Sequence, residues 1–477
     1  MGLIPQGDRP SYAGRYVGLA IAFLISLPAI TPRIYASDEI QYFAYLRSLW
    51  FDRDLSFDNE YRAFYDQGIG ATADYHETFL ERMTETGRRL NFATIGCAIL
   101  WSPFFAAGHL AAMATGAATD GYTAPYVTSV AYASALYGFL AIGLSLRVAQ
   151  IVVGRGAPAA AAAIALGTPL LFYMYVAPVF SHATSAFTVA AFVTAWIAAR
   201  ERWRLRDACV LGALAALMGM VREQDLFIAV GPAIDFLVAS KRRRQPISEV
   251  LGTVGAALAV FILCYLPQLV AYQALNGRFG PSRVVARKMK WTAPHALQVM
   301  VSPEHGWFAW TPIVLLALGG LALLALGVRR EALASRHAAT IGRYALLMTA
   351  VQVYLGGSVE SWTVAGAFGQ RRFVGVSILL TLGLAAVLAA ASAADASQRA
   401  VWRRAAATTV LVVGVWWNLG LLVQFGAGMM DRQRLELRRN AATTFLVLPR
   451  EAPALAYRYM FDRESFYRSR RHGKPQG

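Results

Sequence analysis

Stretches of about 17–25 predominantly apolar residues recur along the whole chain, each long enough to cross a hydrocarbon core about 30 Å thick. Lipid gives a backbone no water to bond, so such stretches must satisfy their amides internally, as helices. Candidate spans lie at 15–32, 126–147, 157–177, 183–199, 208–221, 225–240, 249–272, 311–328, 341–356, 373–393 and 404–425. The composition agrees. The chain is 57% hydrophobic and 15% charged, against roughly 45–50% and about 25% in soluble domains. The predicted fold class is all-α, a polytopic transmembrane helical bundle of about eleven spans.

The formal charge of +17 is gathered in short clusters at the ends of apolar segments, not along one face. It is therefore a topology signal and not a nucleic-acid surface. The clearest clusters are Arg200 to Arg206, Lys241 to Arg244, and Arg329-Arg330 with Arg336. Basic loops stay in the cytoplasm, and all three clusters fall there if the N-terminus is inside and a further apolar stretch, 92–113, is not counted as a span. With Pro103 and Gly108 as interruptions, that stretch is expected to lie in or dip into the outer membrane face. It belongs to a long first external loop, 33–125. Arg9 and Arg15 precede the first apolar run, which ends in Pro32-Arg33 with no small-residue cleavage pattern, so it reads as a retained helix. Residues 1–240 form one module including that loop. Residues 241–425 form a second, with external loops at 273–310 and 357–372, and 426–477 form a basic tail placed outside. Cys97, Cys209 and Cys264 lie in apolar stretches without metal-type spacing.

The first loop opens with Ser37-Asp38-Glu39, followed by Ile40, Phe43, Leu46 and Trp50 at helical spacing. This predicts an interfacial helix with Ser37 as N-cap. A carboxylate at that lip can accept a proton from an incoming hydroxyl; the alternative is helix capping by acids at an N-terminus. Of the remaining loop acids, Asp54 is the one nearest the helix end, in a region whose acids and aromatics suit sugar hydroxyls or a divalent cation. The next external turn carries His182, a metal ligand, a proton carrier or a structural residue. The turn after that, Val221-Arg222-Glu223-Gln224-Asp225, sets ionisable groups between two short apolar helices, an expensive placement that marks a site unless Arg222 and Asp225 simply pair. Later external loops add Lys288, Lys290, His305, Glu360, Arg371 and Arg372. Their cations suit a phosphate or lipid headgroups. Trp307, Trp310 and Trp362 suit sugar stacking or interface anchoring.

At Ser37-Asp38-Glu39, followed by an interfacial helix and a membrane-dipping helix before the second span, the chain resembles the GT-C superfamily of polytopic glycosyltransferases, including protein O-mannosyltransferases and the lipid A aminoarabinose transferase. The likeness covers the layout of roughly the first 240 residues. It implies transfer of a sugar from a polyprenyl-phosphate carrier to a glycan, lipid or protein acceptor on the outer face, with Asp38 as the central acid and Glu39 beside it. The implied localisation is multi-pass, in the bacterial inner membrane, with the site facing outward. Several such families place a second acid in the external turn before the fourth span; here that turn is Phe180-Ser181-His182-Ala183. The departure leaves a divalent cation open as cofactor. Two alternatives stand: a lipid-linked sugar flippase, with ionisable groups at the bilayer midplane, and an O-antigen ligase or polymerase, dominated by a late loop.

Overall fold

The computed structural model describes residues 13–328, 333–364, 366–392 and 398–468, so Arg9, Arg329, Arg330 and the end of the basic tail lie outside the described residues. Those described are almost entirely helical, and the chain is a polytopic membrane protein: six helices are long and apolar enough to cross a membrane, and three shorter apolar helices accompany them.

The helices that position the site are α1 (Ala13–Ser26), α2 (Ser37–Arg47), α3 (Asp58–Asp66), α4 (Gly96–Thr115), α5 (Ala124–Val152), α6 (Ala157–Gly167), α7 (His182–Ala199), α8 (Leu205–Val221), α9 (Val230–Arg242), α10 (Ile247–Asn276), α11 (Ile313–Leu326), α12 (Ala338–Ser358), α13 (Ser377–Ala391), α14 (Gln398–Ala427) and α15 (Leu448–Phe461). Two expected spans are broken. Residues 157–177 form α6 and then the short helix Leu170–Tyr175, and the stretch expected from 225 begins as a 3-10 turn, Glu223–Ala229, before α9.

Two separate cores hold the chain together. The larger lies among the bundle helices and includes Ile164, Trp196, Met218, Leu321 and Leu384. The second gathers Phe43, Phe57, Tyr61, Phe64, Trp101, Phe105 and Tyr126 from the first loop and its neighbours. α5 joins them. Its 29 residues rise about 43 Å, more than a hydrocarbon core about 30 Å thick requires. The C-terminal half packs in the bundle, with Phe139 against Phe23 of α1 at 5.3 Å between ring centroids. The N-terminal half packs along α4, where the Tyr137 hydroxyl donates to the Leu100 carbonyl at 2.8 Å.

α4 differs from expectation in one respect. Neither Pro103 nor Gly108 interrupts it: the helix continues through Pro103, and Gly108 instead allows contact with α5. A Cβ there would stand 2.6 Å from Ser129 Oγ and 2.9 Å from the Pro125 carbonyl. By length and composition α4 qualifies as a span, and it packs on α2, on the first half of α5 and, at Gly96, on the end of α8 at Met220 and Val221.

Candidate functional site

α2 carries the acids of the first loop to the junction between the two cores. Its N-cap is Ala36, not Ser37. Glu39 turns back so that Oε2 accepts from the amides of Tyr35 at 2.9 Å and Ala36 at 3.1 Å, satisfying donors that a helix start leaves open. Glu39 is fully buried, and burial pushes its carboxyl up to about 8. Successive helical residues point about 100° apart, so Asp38 faces elsewhere. It opens onto a cavity of about 620 Å³, also lined by Gln41, Tyr42, Arg222, Glu223, Lys288 and the Arg371-Arg372 pair. Expecting catalysis from both acids is therefore corrected: Asp38 lines the cavity and Glu39 caps the helix.

Arg371 Nη1 reaches Asp38 Oδ2 at 2.8 Å and its guanidinium lies 5.3 Å from the Phe180 ring centroid. Arg371 and Arg372 stand in the 3-10 turn Arg371–Val376, which leads directly into α13. Arg372 donates to the Ser361 carbonyl at 3.1 Å, while its Nε is buried without a partner. Arg222 extends across the turn between α8 and the 3-10 segment, with Nη1 at 3.2 Å from Ser181 Oγ and 3.1 Å from His182 Nδ1. Asp225 does not pair with it. Asp225 accepts instead from Ser185 Oγ at 2.6 Å and is buried, leaving Arg222 to the cavity. Gln224 fastens the turn to the arginine loop by donating to the Arg372 carbonyl at 2.7 Å.

His182 is 2% exposed, its ring stacked on Phe180 and edge-on to Tyr173; it supports Arg222 from below and is not among the cavity-lining residues. Lys288 is, with Nζ 5.4 Å from the Phe92 ring centroid. The loop bearing it is held by a backbone bridge, Lys290 N to the Ser358 carbonyl at 2.6 Å and Glu360 N to the Lys288 carbonyl at 2.8 Å. Lys290 and Glu360 face each other at 3.9 Å, both half-exposed, and do not line the cavity.

Two further expectations are corrected. Asp54 Oδ1 accepts from Ser48 Oγ and the Ser56 amide, both at 2.9 Å, and so closes the turn after α2 instead of binding in the cavity. His305 is buried beneath Trp310, with Nε2 at 2.8 Å from the Ala367 carbonyl; burial holds its ring down near about 4. Trp307 and Trp310 are likewise core residues, 2% and 1% exposed, so neither anchors at an interface nor stacks on a sugar.

Within the turn that the sequence marks as a site, Arg222 alone is singled out, and Glu223 joins it in the structure. It lines the cavity and accepts from the Tyr272 hydroxyl on the overhanging end of α10, and burial raises its carboxyl. Gln41 and Tyr42 were within reach of the sequence: three and four positions after Asp38, they share its helix face. Asp38 and Glu223 are the acids lining the cavity, beside four cations. Among the described residues no group of three or more His, Cys, Asp or Glu side chains is placed to hold a metal ion.

No family model matches the chain, and no curated protein matches it. Solved structures that resemble it include one described as ArnT from Cupriavidus metallidurans bound to undecaprenyl phosphate, 16% identical, covering 95% of this chain and 79% of that one at a TM-score of 0.47.

Proposed function

We propose that the protein is a membrane glycosyltransferase that moves a sugar from a polyprenyl-phosphate carrier to an acceptor hydroxyl on the outer face of a membrane. The observation that carries this reading is the Asp38 carboxylate set 2.8 Å from Arg371 in a cavity shared with Arg222, Lys288 and Arg372. A carboxylate beside a field of cations suits a displacement in which a proton and a phosphate leave in different directions.

In this reaction the acceptor oxygen attacks the anomeric carbon, the bond from that carbon to the phosphate oxygen breaks, and the lipid phosphate departs with the electron pair. The hydroxyl proton passes to Asp38. Arg371 holds Oδ2 and thereby orients the carboxylate, leaving Oδ1 to meet the hydroxyl. General-base help of this kind contributes roughly 10²–10⁴-fold. Negative charge grows on the departing phosphate, so cations fixed beforehand stabilise the transition state more than the ground state. Arg222 and Arg372 suit that role because the fold has already positioned them, the first on Ser181 and the second on Ser361. Orientation follows from charge. The clusters Arg200 to Arg206 and Lys241 to Arg244 cap the opposite ends of α7 and α9 from the cavity, a distribution that by the positive-inside rule supports an outward-facing cavity. The acceptor class, glycan, lipid or protein, stays with the cavity's chemistry: a hydroxyl.

The test offers purified protein a panel of polyprenyl-phosphate sugars, scoring transfer or hydrolysis and carrier binding separately, with Arg372→Ala beside the wild type. Turnover that falls with carrier binding in the variant supports the reading. Carrier binding without turnover across the whole panel overturns it in favour of lipid-sugar transport.

A further inference from the structure

The same end of the molecule carries a second concentration of positive charge, where the turn after α1 meets the C-terminal segment. Tyr459 and Tyr467 both approach Thr31 Oγ1, at 3.1 and 3.2 Å. Arg463 donates to the carbonyls of Ile30 at 2.8 Å and Pro28 at 2.7 Å. Arg33 lies over Tyr467, its Cζ 3.5 Å from the ring centroid, and 5.0 Å from that of Tyr35. Arg432 enters from beyond α14, 4.7 Å from the Phe425 centroid, within the electrostatic reach of Arg33, Tyr35 and Tyr467.

These two arginines differ from Arg463 in having little to bond. Arg33 Nε, Arg33 Nη2 and Arg432 Nη2 are buried with no hydrogen-bond partner, and among the described residues neither arginine has a carboxylate within ion-pair distance. Of the acids around them, Glu39, which acts electrostatically on Arg33, gives its Oε2 to the amides of Tyr35 and Ala36, and Asp431 Oδ1 accepts from the Gln433 amide at 2.8 Å. Burying a guanidinium N–H without an acceptor is costly, and a second like charge beside it adds repulsion. Burial and the charge of Arg33 accordingly lower the proton affinity of Arg432. A bound anion relieves both penalties.

We propose that Arg33 and Arg432 form a second anion-binding site, separate from the cavity at Asp38, that takes a phosphate group. Three open donor nitrogens on two separate forks suit the tetrahedral oxygens of a phosphate, which can face both forks at once. The phosphate comes either from an anionic phospholipid headgroup, for which the exit of α1 from the bundle is the right depth, or from a soluble phosphate compound. One aromatic pair separates this site from the catalytic one: Tyr35 contacts Phe180 at 6.5 Å, and Arg371 lies over Phe180.

The full chain, purified in phosphate-free detergent, is unfolded thermally with and without inorganic phosphate. It is also reconstituted in discs of phosphatidylglycerol or phosphatidylcholine, where retained lipids are counted by native mass spectrometry. Wild type is compared with the double variant Arg33→Gln/Arg432→Gln and with Arg372→Ala, which reports on the cavity. Phosphate is expected to raise Tm by about 2 °C or more in wild type and Arg372→Ala, and by clearly less in the double variant, whose remaining response comes from the cavity cations. The double variant should be at least as stable as wild type without phosphate, because the repulsion is gone. A response to phosphatidylglycerol alone, lost in the double variant, assigns the site to a headgroup. A response as large in the double variant as in wild type, or no binding of either ligand by wild type, overturns the proposal. Should the double variant fail to fold, Arg432→Lys keeps the charge and loses the fork; it is expected to need about tenfold more phosphate, and an unchanged response overturns the proposal equally.

Discussion

Replacing Asp38 with asparagine separates the roles assigned in the cavity. The amide is nearly isosteric, and its oxygen can still accept from Arg371 Nη1, which stands 2.8 Å from Oδ2. Geometry is therefore retained while the basic oxygen and one negative charge are lost. Losing the base lowers turnover by roughly 10²–10⁴-fold. Losing the charge acts the other way on the carrier. Asp38 is 39% exposed, so its repulsion of a phosphate about 4–8 Å away is that of a well-solvated pair, about 0.5–1 kcal/mol. Carrier affinity should rise about two- to fivefold. Single-turnover assays with a radiolabelled polyprenyl-phosphate sugar measure the first quantity and equilibrium binding of the carrier the second. Wild-type turnover in Asp38→Asn refutes the base. Turnover and binding lost together refute it differently, because Asp38 is then an anchor for Arg371.

Arg372→Ala removes a preorganised cation and should lower carrier affinity and turnover together, by about tenfold or more, as read by the same binding assay. Glu39→Gln tests the capping role. Because burial raises this carboxyl from 4.5 to about 8, the native state favours the protonated form. Wild-type stability is thus greatest below the lower value and declines as pH rises through the upper one, by up to about 5 kcal/mol. The glutamine variant should flatten thermal stability over that window while leaving catalysis at low pH unchanged. In the bundle, Gly320→Ala puts a Cβ 1.8 Å from the Gly383 carbonyl, forcing α11 and α13 apart. A loss of Tm of several degrees in detergent, about 2 kcal/mol or more, checks it.

The spans were legible because a membrane imposes a length and a polarity that survive in sequence as runs. The lip acid was legible for the opposite reason: Asp38 stands where neither lipid nor solubility requires a charge. What the sequence could not display was pairing. Asp38 meets Arg371 only because α2 and the turn before α13 converge, and nothing local to either residue announces the other. Local grammar also misled. Asp38 and Glu39 look equivalent as neighbours, yet a helix turns them to different faces, one toward the cavity and the other back to its own amides. His305 reads as a binding residue of an external loop; the fold buries it under Trp310 instead.

The length of α5 and α10 explains why chemistry gathers at one end of this bundle. Helices of 29 and 30 residues outrun the bilayer, and their surplus turns build the walls of a water-accessible chamber. α10 brings Tyr272 to Glu223 and Gln268 to the Ile95 amide at 3.0 Å, at the start of α4. α5 carries α4 and, through it, the first-loop core on which α2 rests. Asp38 is thus supported by the first-loop core, while Arg371 opposite it belongs to the turn that enters α13. The proposed transfer, joining a lipid-borne phosphate to a water-borne hydroxyl, suits that division, with Arg371 on a bundle element and Asp38 on a first-loop element. Shortening α10 by one turn beyond Gln268 should then disturb the acid side of the cavity first, abolishing turnover before carrier binding.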